Sequence, residues 1–237
     1  MTDLITFDSA KQVFHLHNKE LSYILSIEQG QTLCHLYFGK RVRNYHGELK
    51  YPRVDRGFSG NLPGSLDRTF SRDTLPKEYS GAGEMDYHTP ATIVRQENGS
   101  NAVMLKYKNY KIEDGKPKLG GLPAAYVENE KESQTLTITL EDELTGLEYD
   151  LLYTVYRDVS IITRSVKVRN AGKQPVFLEK VASLQLDFVD KDFDSICLPG
   201  AHANERHLER SSVGYGIQKF GSIRGTSSHQ MNPFLAL

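Results

Sequence analysis

Apolar and polar residues alternate with a period of two through much of this chain, and no long 3.6-residue pattern competes with that rhythm. Leu21, Tyr23, Leu25 and Ile27 share one parity. Leu136, Ile138 and Leu140 do the same, with Thr135, Thr137 and Thr139 between them. The longest run is Val176, Leu178, Lys180, Ala182, Leu184, Leu186 and Phe188. Residues i and i+2 share a face only in an extended chain, so each stretch is predicted to be a strand with one side on a core. Asn98-Gly99 and Asp114-Gly115 predict hairpin turns, because both central positions tolerate positive φ. Asn170-Ala-Gly-Lys-Gln-Pro175 separates the runs Ile161–Arg169 and Val176–Phe188, which are therefore expected to be neighbouring antiparallel strands. Roughly a dozen strands with polar turns predict an all-β fold, a large antiparallel β-sandwich. No internal repeat suggests a propeller or solenoid.

Composition narrows the function classes. A chain of 237 residues, 38% hydrophobic and 25% charged, can bury a sizeable core and is not wholly disordered. Twenty-nine Lys and Arg against 30 Asp and Glu leave a formal charge of -1, which argues against nucleic acid as a partner. No apolar run approaches the roughly 20 residues that span a bilayer, so no membrane partner is expected. The start, Met1-Thr-Asp-Leu-Ile-Thr-Phe-Asp8, is acidic where a signal peptide is basic, and a cytoplasmic location is expected. Cys34 and Cys197 sit among apolar neighbours and read as buried free thiols.

Two regions break the alternation. From Asn44 to Pro90, Gly, Pro, Ser, Asp and Arg dominate, yet Phe58, Leu62, Leu66, Phe70, Leu75 and Tyr79 supply too much apolar material for a linker. Residues 44–90 are therefore expected to be a long ordered loop pinned to a surface. The chain closes on Asn232-Pro-Phe-Leu-Ala-Leu237 without a polar tail, which leads us to expect a sandwich incomplete at its C-terminal end.

The chemistry-bearing residues form no complete active site. His15 and His17 would share a face of a strand, as some metal sites require, but no third ligand is apparent and half-buried strand histidines are the plainer reading. His202, Glu205 and His207 resemble metal-ligand spacing. On a strand, however, positions 202 and 207 face opposite ways, so His202-Ala-Asn-Glu-Arg-His207 reads better as a polar edge for a ligand or an interface, or as plain surface. Asp55, Asp67, Asp73, Glu84 and Asp86 lie among Arg53, Arg56, Arg68 and Arg72, an arrangement that suggests structural salt bridges. No spacing singles out a catalytic carboxylate pair. Nucleophile elbow, phosphate loop, dinucleotide fingerprint and His-Glu-x-x-His motifs are all missing. Thirteen Tyr and 10 Phe could stack on sugars, but Trp is absent and most aromatics alternate as core residues do.

Four separated segments go further. Arg53-Val-Asp55-Arg56-Gly-Phe-Ser59, Asp67-Arg-Thr-Phe-Ser-Arg-Asp-Thr-Leu75, Leu198-Pro-Gly-Ala201 with Glu205-Arg206, and Arg224-Gly-Thr-Ser-Ser-His-Gln-Met-Asn-Pro-Phe234 occur in that order. Together, across Tyr23 to Leu237, the chain resembles the amino-terminal domain of bacterial α-galactosidases of glycoside hydrolase family 36. The resemblance implies that residues 1–237 are a single N-terminal β-supersandwich domain, truncated. It also implies that the catalytic (β/α)₈ barrel, with its nucleophile and acid/base, is absent from the chain.

The function that this resemblance implies is that of a non-catalytic part of an enzyme hydrolysing terminal α-D-galactosides such as melibiose and raffinose. Such a part is expected to be inactive alone and to need neither cofactor nor metal. In that family this domain works in homo-oligomers, where the loop aspartate, here Asp55, contacts substrate in a neighbouring subunit. The Leu-Pro-Gly-Ala motif is usually followed by a substrate-contacting tryptophan. His202 stands there, with a smaller stacking face that can still hydrogen-bond a sugar. Two alternatives remain open: a stand-alone carbohydrate-binding or assembly module without enzymatic activity, and a metal-dependent enzyme built on His202, Glu205 and His207.

Overall fold

Thirteen strands and two single-turn 3₁₀ helices account for the regular structure in the computed structural model, which describes residues 3–45, 51–55, 57–58, 60–121, 124–188, 192–225 and 228–237. Of the motif residues, Arg56, Ser59, Thr226 and Ser227 lie outside the described residues, as does the 46–50 stretch of the long loop. Two compact units divide the chain, Met1–Asp187 and Phe188–Leu237.

The first unit is a sandwich of antiparallel sheets. One sheet runs in simple order through β1 (Ile5–Asp8), β2 (Val13–His17), β3 (Leu21–Glu28) and β4 (Thr32–Lys40). The other joins β6 (Lys106–Asp114), β7 (Ser133–Asp142), β8 (Leu147–Tyr156) and β9 (Ile162–Asn170). Strand parity decides what goes inside. Phe14 and Leu16 of β2 and Tyr23 and Leu25 of β3 share one core with Leu136, Ile138 and Leu140 of β7 and Tyr149, Leu151, Tyr153 and Val155 of β8. Aromatic rings bridge the sheets: Phe7 and Phe14 both pack on Tyr110, with centroids 4.8 and 5.0 Å away, and Tyr23 lies 5.9 Å from Tyr153. A two-stranded sheet of β5 (Thr92–Gln96) and β10 (Val176–Val181) completes the unit's strands.

Alternation identified strands better than it identified their partners. β9 pairs with β8, and β10 pairs with β5, so the expected 161–169 and 176–188 hairpin does not form. The long 176–188 run also stops being a strand at Val181, after a register shift between Leu178 and Lys180. Parity states which face is apolar but carries no information on the neighbour. Asp114-Gly115 is not a two-residue hairpin either. Gly115 does take φ +82° and donates its N–H to Ser133 O, but residues 116–132 intervene before β7 begins. Asn98-Gly99 does form a tight turn, with Gly99 N–H donated to Gln96 O. β3 is buried on both sides through Leu25, because its outer face is covered too.

The second unit holds a three-stranded antiparallel sheet in the order β12 (Glu209–Ser212), β11 (Asp194–Pro199), β13 (Met231–Ala236). Cys34 in the first unit and Cys197 in the second are both buried free thiols. Among the described residues no helix is long and apolar enough to cross a membrane.

Candidate functional site

The 44–90 excursion is anchored on β4. His35 N–H is donated to Pro76 O, Glu78 N–H to Leu33 O, and Cys34 bridges to Lys77. Phe70 and Leu75 pack with Cys34 into a second small core, flanked by Tyr51 and Leu62; each buried ring or isobutyl group contributes about 1.5–3 kcal/mol. Of the six apolar residues expected to pin this segment, Phe70, Leu75 and Tyr79 are buried, whereas Phe58 and Leu66 are fully exposed. Phe58 also holds φ +64°, a left-handed conformation that bulky residues rarely adopt.

Two buried ionic clusters lock the foot of the excursion. Lys77, 2% exposed, places its Nζ against Glu84 Oε2 and 3.0 Å from Asp86 Oδ2. Buried Arg72 donates to Glu84 O, and Glu84 Oε1 accepts the N–H groups of Gly81 and Leu105. Lys77 N–H and the imidazole of His88 both meet Asp187 Oδ2. On the other side of the backbone, Glu78 enters the space between the sheets. Its Oε1 accepts from Tyr23 and Tyr153 and pairs with Arg164 at 2.5 Å, and His35 Nδ1 lies 3.4 Å from Oε2. Burial, with the Glu78 charge adding to it, pushes the Tyr23 hydroxyl well above its ordinary range. Arg164 occupies the apolar parity of β9 with Val166 and Val168, a signal of a buried partner that sequence reading missed.

Above that foot the loop carries Asp55. Its carboxylate is 56% exposed, and Arg68 Nη2 lies 3.1 Å from Oδ1. Arg53, two positions before Asp55, turns instead to Asp67 and Thr69 and donates to the Tyr51 hydroxyl. Asp67 in turn caps its own turn, accepting from Thr69 N–H and Oγ1; those bonds, ahead of Arg53, hold its carboxyl below the usual range. Arg68 is thirteen positions from Asp55, and only the fold of the loop brings them together.

His202 lies in the second unit, not on a strand but in a tight turn where Ala201 and Asn204 exchange backbone hydrogen bonds. Its exposed ring meets His229 edge to face at 5.8 Å. Gly200 makes this contact possible. A Cβ there would come within 2.7 Å of His229 O and 2.8 Å of Asn204 O, so only glycine lets the two turns close. His207 Nε2 meets Asn204 Oδ1 at 2.6 Å, and Glu205 accepts Ala203 N–H. Of the metal alternative's side chains, Glu205 and His207 are thus committed to their own turn, and His202 meets His229 instead. Among the described residues no three His, Cys, Asp or Glu side chains gather as a metal site.

Comparison with known proteins places this geometry in context. Residues 31–237 match the model of the glycosyl hydrolase family 36 N-terminal domain. Alpha-galactosidase 1 of Pediococcus pentosaceus is 69% identical over 234 residues, covering 99% of this chain and 32% of that protein. The crystal structure of the GH36 alpha-galactosidase AgaB from Geobacillus stearothermophilus superposes with a TM-score of 0.91 at 44% identity, over 99% of this chain and 32% of that one. A variant of alpha-galactosidase AgaA from Geobacillus stearothermophilus, in complex with raffinose, matches with a TM-score of 0.89 at 46% identity, over 94% of this chain and 31% of that one. The chain spans about a third of the length of these relatives.

Proposed function

Because the chain belongs to the glycosyl hydrolase family 36 N-terminal domain family, we propose that it is the substrate-presenting, non-catalytic part of an α-galactosidase acting on terminal α-D-galactosides of the melibiose and raffinose type. In this reading residues 1–237 act as one β-supersandwich domain, which is supported by a single family model running across both units. Hydrolysis with retention is carried out by two carboxylates of a barrel outside these residues and needs no cofactor.

The observation that carries the reading is the exposed Asp55 carboxylate, oriented by Arg68 on a loop whose foot is clamped by Lys77 and Glu78. An ionised carboxylate held this way accepts sugar hydroxyls without first reorganising. His202 supplies a second contact, and in a homo-oligomer the loop serves a neighbouring subunit. The buried acids favour the non-catalytic role. Glu78, Glu84 and Asp86 are each engaged by a cation and enclosed, so none can reach a glycosidic bond.

Calorimetry of the chain with raffinose tests the binding role. Weak heat that disappears in Asp55→Asn is expected, and equal heat in both proteins would refute the role of Asp55. Turnover of an aryl α-galactoside by the purified chain would overturn the non-catalytic assignment.

A second reading, an assembly module without sugar contact, is favoured by the nearly full exposure of Tyr215, Ile217 and Ile223 in the second unit. Concentration-dependent association in light scattering, without heat from raffinose, would select it.

A further inference from the structure

The His15-x-His17 pair takes no part in the proposed sugar contacts, and its surroundings do not suit a metal. Parity puts both rings on the outer face of β2, where their register partners on β3 are Ile24 and Ser22. The rings meet edge to face at 4.8 Å. His15, 8% exposed, has its Nε2 2.9 Å from Ser22 Oγ and 3.4 Å from Arg41 Nη1. Ser22 Oγ also accepts Val42 N–H, which holds the stretch after β4 against β3 and keeps Arg41 beside the imidazoles. A divalent cation at His15 Nε2 would sit against a guanidinium, and the two charges repel.

From these contacts we infer that His15, His17 and Arg41 form a binding site for a tetrahedral oxyanion, a phosphate or sulfate group. Among the described residues Arg41 has no carboxylate within ion-pair distance; its Nη1 donates to Val42 O. Of the titratable groups that act on one another here, His15, His17, Arg41 and Arg43 are cationic or can become so, and Asp3 supplies a carboxylate that acts on His17. His15 is pushed down to about 4 by burial, then by His17 and Arg41. His17 is lowered by burial and Arg41, with Asp3 opposing. Arg41 is lowered by burial and by Arg43. A set of would-be cations held together against mutual repulsion is relieved by an anion, which accepts from the guanidinium fork and from imidazole N–H groups. The chemistry fits free phosphate or the phosphate ester of a sugar equally well.

Imidazole NMR of the 237-residue chain tests the site, with sulfate as the first probe because its charge is constant between pH 4 and 8. Sulfate, compared with chloride at equal ionic strength, is expected to raise the titration midpoints of His15 and His17 by about one pH unit. Arg41→Gln is expected to abolish that response and, without any anion, to raise the His15 midpoint by removing a positive neighbour. His17→Asn, which leaves β2 and Arg41 in place, is expected to reduce the His15 response severalfold, and it serves as the test if the Arg41 variant fails to fold. Midpoints that move equally in sulfate and chloride report screening alone and overturn the inference, as does a full sulfate response in Arg41→Gln or His17→Asn. Inorganic phosphate and glucose 1-phosphate then separate the sources: equal responses mark a free-anion site, and a tighter response to the ester marks a sugar-phosphate site.

Discussion

Glu78 and Arg164 meet 2.5 Å apart between the two sheets, with Glu78 wholly enclosed and Arg164 nearly so. The contact joins the end of the Asp55-bearing excursion to the edge strand β9. Lys77, the preceding residue, points the other way into the Glu84 and Asp86 cluster. Two consecutive side chains thus secure the foot of the loop from both sides of the backbone.

Glu78→Gln is expected to destabilise the protein by about 3–5 kcal/mol, because it strands Arg164 without its counter-ion. Replacing both residues together, Glu78→Met with Arg164→Met, removes the orphaned charge and is expected to cost less than the single change. Urea unfolding of the wild type and the two variants checks the order; a double variant at least as destabilised as Glu78→Gln would contradict it.

Two histidines give the stability opposite pH slopes. Hydrogen bonding to Asp187 raises His88 above its ordinary 6.5, so its pair stabilises fully below about pH 6.5, and that contribution fades as pH rises through the higher folded value. About 0.5–1 kcal/mol is expected to vanish from this slope in His88→Gln. His15, lowered to about 4 by burial, is held neutral when folded but protonates near 6.5 when unfolded. Stability therefore falls as pH drops from 6.5 towards 4, by at most about 3 kcal/mol, and His15→Asn is expected to flatten that limb. Unfolding free energies measured every half pH unit separate the two.

Gly200→Ala is expected to push apart the 201–204 and 228–231 turns, since the added methyl falls within 2.8 Å of backbone on both sides. The expected results are a cost of about 1–3 kcal/mol and loss of the edge contact between His202 and His229. Ring-current shifts of the two imidazoles report the second effect directly; unchanged shifts would mean the turns yield without separating.

Cys34 is fully buried, and burial, reinforced by Glu28, pushes its thiol well above the ordinary range. Its thiolate is therefore scarce as well as shielded. An aromatic disulfide reagent is expected to leave Cys34 unmodified in the folded chain at pH 8 and to react with it at once in denaturant. Rapid labelling without denaturant would show that the Phe70–Leu75 cover opens easily.

Much of this architecture was legible in the residues. The Leu136, Ile138, Leu140 alternation became the central strand β7, and of the apolar residues noted within 44–90, Phe70, Leu75 and Tyr79 are buried while Phe58 and Leu66 are exposed. The expected β9–β10 hairpin failed because a face pattern is compatible with any neighbour of complementary shape. Proximity in sequence pointed to Arg53 and Arg56 as partners of Asp55; Arg53 pairs with Asp67 instead, Arg56 lies outside the described residues, and Arg68 is the arginine that meets Asp55 among those described. Four motifs in register identified the family, since ordered identities across more than 200 residues do not depend on knowing any contact.

By itself, then, the amino-acid order determined where most of the chain is extended, the core-facing parity of strands such as β7, and the family, because these are properties of local spacing and of residue identity. Which strand lies beside which, which arginine orients Asp55, and that Arg41 rather than a third ligand stands at the His15–His17 pair were decided only in three dimensions. Those choices turn on long-range packing and on the electrostatic cost of burying charge, which depend on residues distant along the chain and leave no periodic trace in it.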